Sequence, residues 1–237
     1  MSLRKCLLLM ILMCLAFVRP AYAEFETGVY GGAALTNKTD KTEESSLGVT
    51  LTSRDLKTDT QFTFGGRVGY WFDRFDYVGT GLDVFYFRAK APSQTVPVSI
   101  SGCCAIMATD SFSIPVVAVA FDVLRLRLPL MRSEEFPHGR IQPYIGGGPA
   151  VFFSWAKAPA GFQPSDKTDV DAAIGYKVGG GLAIMLNKEV GLFAEYRYTH
   201  FTSSLTFQDN TPPASTETFK TTLNTNHAIV GLTVRFP

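Results

Sequence analysis

Past residue 23 this chain has no apolar run approaching the length of a membrane-spanning helix, no basic stripe and almost no cysteine. Each absence excludes something. Without a cluster of Lys and Arg, nucleic acid falls away as a partner. Of four cysteines, Cys6 and Cys14 lie in the leading segment, leaving only the adjacent Cys103 and Cys104. Two neighbouring thiols make no disulfide framework, so an exported chain of this size needs a large core or a closed sheet. What is abundant is apolar and aromatic: 46% of residues are hydrophobic and 13% aromatic, with 21 glycines. Such surface without a spanning helix points to strands, and in a bilayer strands are viable only as a closed barrel.

The first 23 residues read as an export signal. Arg4 and Lys5 precede an apolar run from Cys6 to Val18, and Ala21-Tyr22-Ala23 ends it in a small-x-small pattern. The run is shorter than the ~18–20 residues a spanning helix needs, so cleavage after Ala23 is expected rather than anchoring. Met13 precedes Cys14, too bulky for a lipidation signal. The expected division is a signal peptide, 1–23, and a barrel domain, 24–237. Removing Arg4, Lys5 and Arg19 from the 22 basic residues leaves 19 against 21 acidic ones.

Eight strands are expected near 25–36, 60–72, 77–89, 111–126, 140–155, 171–186, 190–203 and 222–236. The connectors alternate between long (37–59, 91–110, 156–169, 204–221) and short (73–76, 187–189). The link at 127–139 is longer than this pattern allows. An even strand count, long loops outside and short turns inside describe an outer-membrane barrel with both termini in the periplasm.

Alternation within the segments supports this. Phe62, Phe64, Val68, Tyr70 and Phe72 oppose Thr63, Gly65, Arg67 and Gly69. Ile174, Tyr176, Val178, Leu182 and Ile184 oppose Gly175, Lys177, Gly179 and Gly181. The same pattern recurs in 190–200 and 225–236. A period of two with one apolar face implies a lipid-facing exterior and a polar interior. A soluble sandwich or lipocalin-like carrier would alternate too. Against it stand the glycine-and-ion inner face and the aromatics at segment ends (Phe62, Phe72, Trp155, Phe201, Phe236), where an interfacial girdle is expected.

An eight-stranded barrel has a lumen just wide enough for side chains to fill it. Arg67, Asp83, Asp122, Lys177, Glu195, Arg197 and Arg235 are the ions expected to point inward. Buried charges must pair, so these are expected to form a balanced network that plugs the lumen. Cys103 and Cys104 sit in the apolar second long loop. A vicinal disulfide, buried thiols and pairing with another chain are all open there.

The stretch Pro143-Tyr144-Ile145-Gly146-Gly147-Gly148 resembles a strand of the opacity-type surface proteins, within the wider OmpA-like group of eight-stranded outer-membrane barrels. Glu195-Tyr196-Arg197-Tyr198 is similar to their penultimate strand, and Asn226 to Phe236 to their closing strand. The resemblance implies a bacterial outer-membrane protein in contact with the lipid bilayer and lipopolysaccharide. It implies, too, that Gly231, Val234 and Phe236 form the signal read by the barrel-assembly machinery. The added Pro237 departs from the family's aromatic end and is expected to slow assembly at most.

Barrels of this size include enzymes acting on lipid A, and His200 with Ser203 loosely resembles a deacylase's His-x-Ser pair. Residues three apart on a strand face opposite sides, and Thr202, on the same face as His200, offers the wrong hydroxyl. His138 and His227 lie elsewhere, so no catalytic site, metal site or cofactor is expected. The expected function is that of a structural or adhesive surface protein whose long loops carry recognition of a host or surface ligand. A lipid A-modifying enzyme and a small ligand carrier are the alternatives.

Overall fold

The computed structural model describes residues 24–72, 74–157, 168–209 and 215–236, so the expected signal peptide lies outside the described residues. The described residues form ten strands: β1 (Glu24–Thr36), β2 (Thr39–Ser45), β3 (Thr50–Leu56), β4 (Gln61–Phe72), β5 (Phe75–Ile100), β6 (Ala105–Arg127), β7 (Ile141–Lys157), β8 (Thr168–Met185), β9 (Val190–Asp209) and β10 (Ser215–Phe236). Eight of them, β1 and β4 to β10, form an antiparallel up-and-down ring. β1 closes it against β10 from Phe25↔Phe236 to Thr36↔Thr225. Closure removes every edge along this stretch, as a wall in lipid requires.

Alternation decides which side of the wall each residue takes. Val29, Phe62, Phe64, Val84, Ile145, Val178 and Val230 project outward and exposed, and Ile174 keeps 82% of its surface. Left in water, such a band would be an extensive apolar patch; in lipid it is the favoured exterior.

β6 breaks the alternation once. Asp122, Arg125 and Arg127 are all buried, although 122 and 125 differ in parity. Val123 and Leu124 both face outward, and the pairing shifts register there against β5 and against β7. This is a β-bulge, one extra residue that re-aims the following side chains. Deleting Val123 should therefore be well tolerated, because regular alternation then keeps Asp122, Arg125 and Arg127 inside. An unfolding free energy from urea titration within about 1 kcal/mol of the parent is expected, and a collapse of folding would show that the bulge does more than set parity.

The sequence expectation fails at the crown. Much of the predicted loops 37–59, 91–110 and 204–221 is strand. β5 and β6 run on as a ladder to Ser99↔Ala105, and β9 and β10 to Asp209↔Ser215. Where β1 and β4 end, β2 pairs with β10 and β3 with β5. The hairpin β2–β3 thus takes over their places, and β2, β3, β5, β6, β9 and β10 continue above the bilayer band. With water outside, nothing obliges these strands to show an apolar outer face, so they carry Thr, Ser and charge instead. Cross-strand pairs such as Lys220–Glu44 at 2.8 Å replace the lipid-facing residues.

The long link at 127–139 also has an explanation. Ser133 and Phe136 exchange backbone hydrogen bonds, and Phe136 is buried. From β7, the Gln142 side-chain amide donates to the carbonyls of His138 (2.9 Å) and Gly139 (2.7 Å). The segment folds against the short-turn end of the lumen, beside Glu24 and Arg235, and its extra residues serve that contact.

Candidate functional site

The lumen is filled in two tiers. Toward the short turns lie six cations (Arg67, Arg125, Arg127, Lys177, Arg197, Arg235) and five carboxylates (Glu24, Glu26, Asp83, Asp122, Glu195), all buried. All seven residues picked from the sequence are among them. Glu24, Glu26, Arg125 and Arg127 were not picked.

At the lowest level, Glu24 pairs with Arg127 (2.5 Å) and Arg235 (3.0 Å). Glu26 pairs with Arg125 (3.1 Å) and Arg67 (3.4 Å) and accepts a hydrogen bond from the Trp71 indole at 3.0 Å. The Arg125 and Arg127 guanidinium groups lie 4.8 and 4.3 Å from the centre of the Trp71 ring. Glycine makes room for them. A Cβ on Gly69 would strike Arg125, and Gly81 and Gly146 lie against the stem of the same side chain.

One level higher, Glu195 pairs with Arg67 and Arg197, both at 2.8 Å, and accepts from the Tyr144 hydroxyl at 2.8 Å. Asp83 pairs with Lys177 (2.8 Å) and Arg197 (2.9 Å) and accepts from the Tyr30 hydroxyl. Lys177 reaches Asp122 at 2.9 Å. Each buried carboxylate therefore meets at least one cation, as burial of charge demands.

Above the ions the lumen turns apolar, which corrects the expectation of a polar interior throughout. Phe85, Phe87, Phe152, Phe201 and Leu223 are fully enclosed around His227. Phe152 and Phe201 stack face to face, 4.2 Å between centroids and 3° between planes. The imidazole packs edge-on against Phe85 and Phe87 and bonds the Thr199 hydroxyl through Nε2 at 3.1 Å. We refer to this tier as the septum. Phe201, expected in an interfacial girdle, is part of it, because odd-numbered residues of β9 face inward. Phe62, Phe72 and Phe236 do face outward.

Above the septum the crown borders an open cavity of about 1040 Å³. Near its wall, Lys41 bridges Glu43 (2.7 Å) and Asp110 (2.5 Å). Cys103 and Cys104 are disulfide-bonded to each other at the exposed tip of the β5–β6 hairpin.

The remaining sequence candidates separate. His200 faces outward, stacked on Tyr176 and bonded to Asn224 at 2.6 Å. Ser203 faces inward against Ser154 at 2.7 Å, so the two share no face. Among the described residues no three His, Cys, Asp or Glu side chains group as metal ligands. In the closing strand, Val234 lies opposite Thr27 and Phe236 opposite Phe25. Gly231 leaves space that Tyr30 and Phe193 fill.

Comparison with known proteins follows the same architecture. The family model described as outer membrane protein beta-barrel domain matches residues 6–236. No curated protein sequence matches the chain. Among solved structures, the outer membrane protein OprG from Pseudomonas aeruginosa is similar at 13% identity and a TM-score of 0.52, over 89% of this chain and 95% of that one. Neisserial surface protein A is similar at 16% identity and a TM-score of 0.45, over 90% and 99%. The outer membrane protease OmpT from Escherichia coli is similar at 9% identity and a TM-score of 0.46, over 90% and 97%.

Proposed function

The chain belongs to the outer membrane protein β-barrel family of the bacterial outer membrane, and from that premise we propose that it is a sealed surface scaffold whose crown carries recognition. The observation behind this reading is the abrupt change along the barrel axis. Below, ions and stacked rings fill the lumen; above, part of the same sheet rises as an open-mouthed crown whose exterior is polar apart from hairpin-tip residues such as Leu47, Ile106 and Met107. A filled lumen suits a rigid support rather than a diffusion path, and binding residues on a rigid support belong at its exposed end.

On this reading residues 1–23 direct export and the closing residues Gly231, Val234 and Phe236 guide insertion by the assembly machinery. The termini face the periplasm, and lipopolysaccharide surrounds the outer half of the wall. The apolar exterior weighs against a soluble carrier. The work is structural or adhesive, toward a host or surface ligand that the crown contacts.

The test is a crown exchange. The β2–β3 hairpin and residues 91–110 are replaced by short Asn-Gly turns in cells displaying the protein, and attachment to epithelial monolayers is counted. Cells bearing the full chain should attach more than empty-vector cells, and the exchange should return them to that baseline. The heat-modifiable band on a detergent gel must persist, showing that the barrel still folds. Equal attachment with and without the crown would overturn the proposal.

A further inference from the structure

We propose that the crown cavity is a binding site for an anionic single-chain amphiphile of the fatty-acid class. The cavity, of about 1040 Å³, lies just above the ~300–1,000 Å³ range of small-molecule sites. Its apolar side is built from Phe112, Ile114, Leu205, Phe207 and Phe219. Ile114, Leu205 and Phe207 are already buried, while Phe112 and Phe219 are half-buried and leave apolar surface for a ligand to cover, and the septum beneath gives a tail a closed floor to rest on.

The charge around the cavity selects the head group. Lys41 is already held by Glu43 and Asp110. Glu217 lines the cavity too, whereas Lys90 and Lys157, on the outward faces of β5 and β7 at the side of the cavity, make no ion pair among the described residues. A carboxylate held between these two outward lysines would leave its acyl chain to run inward against the apolar recess.

Among the described residues the wall also parts beside the cavity. Pairing of β6 with β7 ends at Val116↔Ser154, and the next residue, Pro115, has no N–H to extend the ladder. Beyond it, residues from both faces of β6 line the cavity, Asp110 and Phe112 from inside and Ser111 and Ser113 from outside. An elongated ligand thus has length available along the wall as well as depth. The site stands whether or not the crown mediates adhesion.

The experiment uses the full protein in nanodiscs of diacyl phosphatidylcholine, with 11-(dansylamino)undecanoic acid as a fluorescent probe and laurate as competitor. Saturable probe fluorescence, displaced by laurate and only weakly by methyl laurate, is expected. The double variant Lys90→Glu, Lys157→Glu should bind the probe about tenfold more weakly while methyl laurate binding is unchanged. Phe112→Glu should abolish binding. Should that variant fail to fold on the detergent gel, the lysine pair, exposed at the rim, still decides. Absence of saturation, or a methyl ester that competes as well as the acid, overturns the proposal. A further arm adds phosphatidylglycerol to the disc without laurate. Probe displacement by that two-chain lipid would assign the cavity to a bilayer head group and overturn the single-chain claim.

Discussion

Glu26→Ala should cost the lipid-embedded barrel roughly 3–5 kcal/mol, the usual penalty for removing one partner of a buried ion cluster. Glu26 is fully enclosed and meets Arg125, Arg67 and Arg235 as well as the Trp71 indole. The network already holds six cations against five carboxylates, so losing this one leaves an excess of two. Its three arginines do not suffer equally. Arg67 retains Glu195 at 2.8 Å and Arg235 retains Glu24 at 3.0 Å, whereas Arg125 has Glu26 as its one carboxylate partner among the described residues. Arg125→Met in the same chain should therefore recover at least half of the loss, with the thioether lying along Trp71 in the slot that Gly69, Gly81 and Gly146 leave. Arg67→Met should not, because it strips Glu195 of one of its two guanidinium partners. Urea titration of protein refolded into vesicles, followed by the heat-modifiable band, reads Glu26→Ala, Arg125→Met alone and the two double variants. Simple additivity of Glu26→Ala and Arg125→Met would refute the pairwise dependence.

Those arginines mark where sequence reasoning stops. Asp122 is expected inside, and regular alternation from it sends Arg125 and Arg127 into lipid. Only the bulge at Val123 and Leu124 brings them back, and a pair of adjacent apolar residues carries no local signal of a bulge. Glu24 and Glu26 were missed for another reason: the first strand begins at the expected cleavage point, where too few residues precede the glycines to show a period. Along 61–72, 173–184, 190–200 and 225–236 the faces were legible, because lipid demands one uniformly apolar side.

The crown and the septum were hidden by the same logic run in reverse. Around β2, Thr-Asp-Lys-Thr-Glu-Glu-Ser has no apolar face, since water lies outside the wall. In β5 both faces are apolar: Val84 and Tyr86 turn to lipid while Phe85 and Phe87 turn to the lumen. A strand apolar on both sides shows no alternation, so the change from charged tier to aromatic tier cannot be read from one strand. It emerges when β5, β7, β9 and β10 are laid side by side, because Phe85, Phe152, Phe201 and His227 then meet at one height.

That convergence sets the second large effect. Phe152→Ala should cost ~3–5 kcal/mol, the loss of a fully buried ring plus the cavity it leaves. Phe201→Ala alone should cost a similar amount. The double variant should cost clearly less than the sum, because the two rings stack on each other and the first deletion already forfeits their contact. Conductance then separates stability from sealing. The ions beneath do not depend on the rings for their partners: Lys177 stays bound to Asp83 and Asp122, and Arg197 to Glu195 and Asp83. In planar bilayers the parent and the Phe152→Ala, Phe201→Ala double variant should both be silent, although the latter unfolds at much lower urea. Adding Glu26→Ala, which loosens the ionic tier too, is the combination expected to show ion steps. Steps from the septum variant alone would mean that the rings are the seal and that the charged tier below them is already wet and permeable.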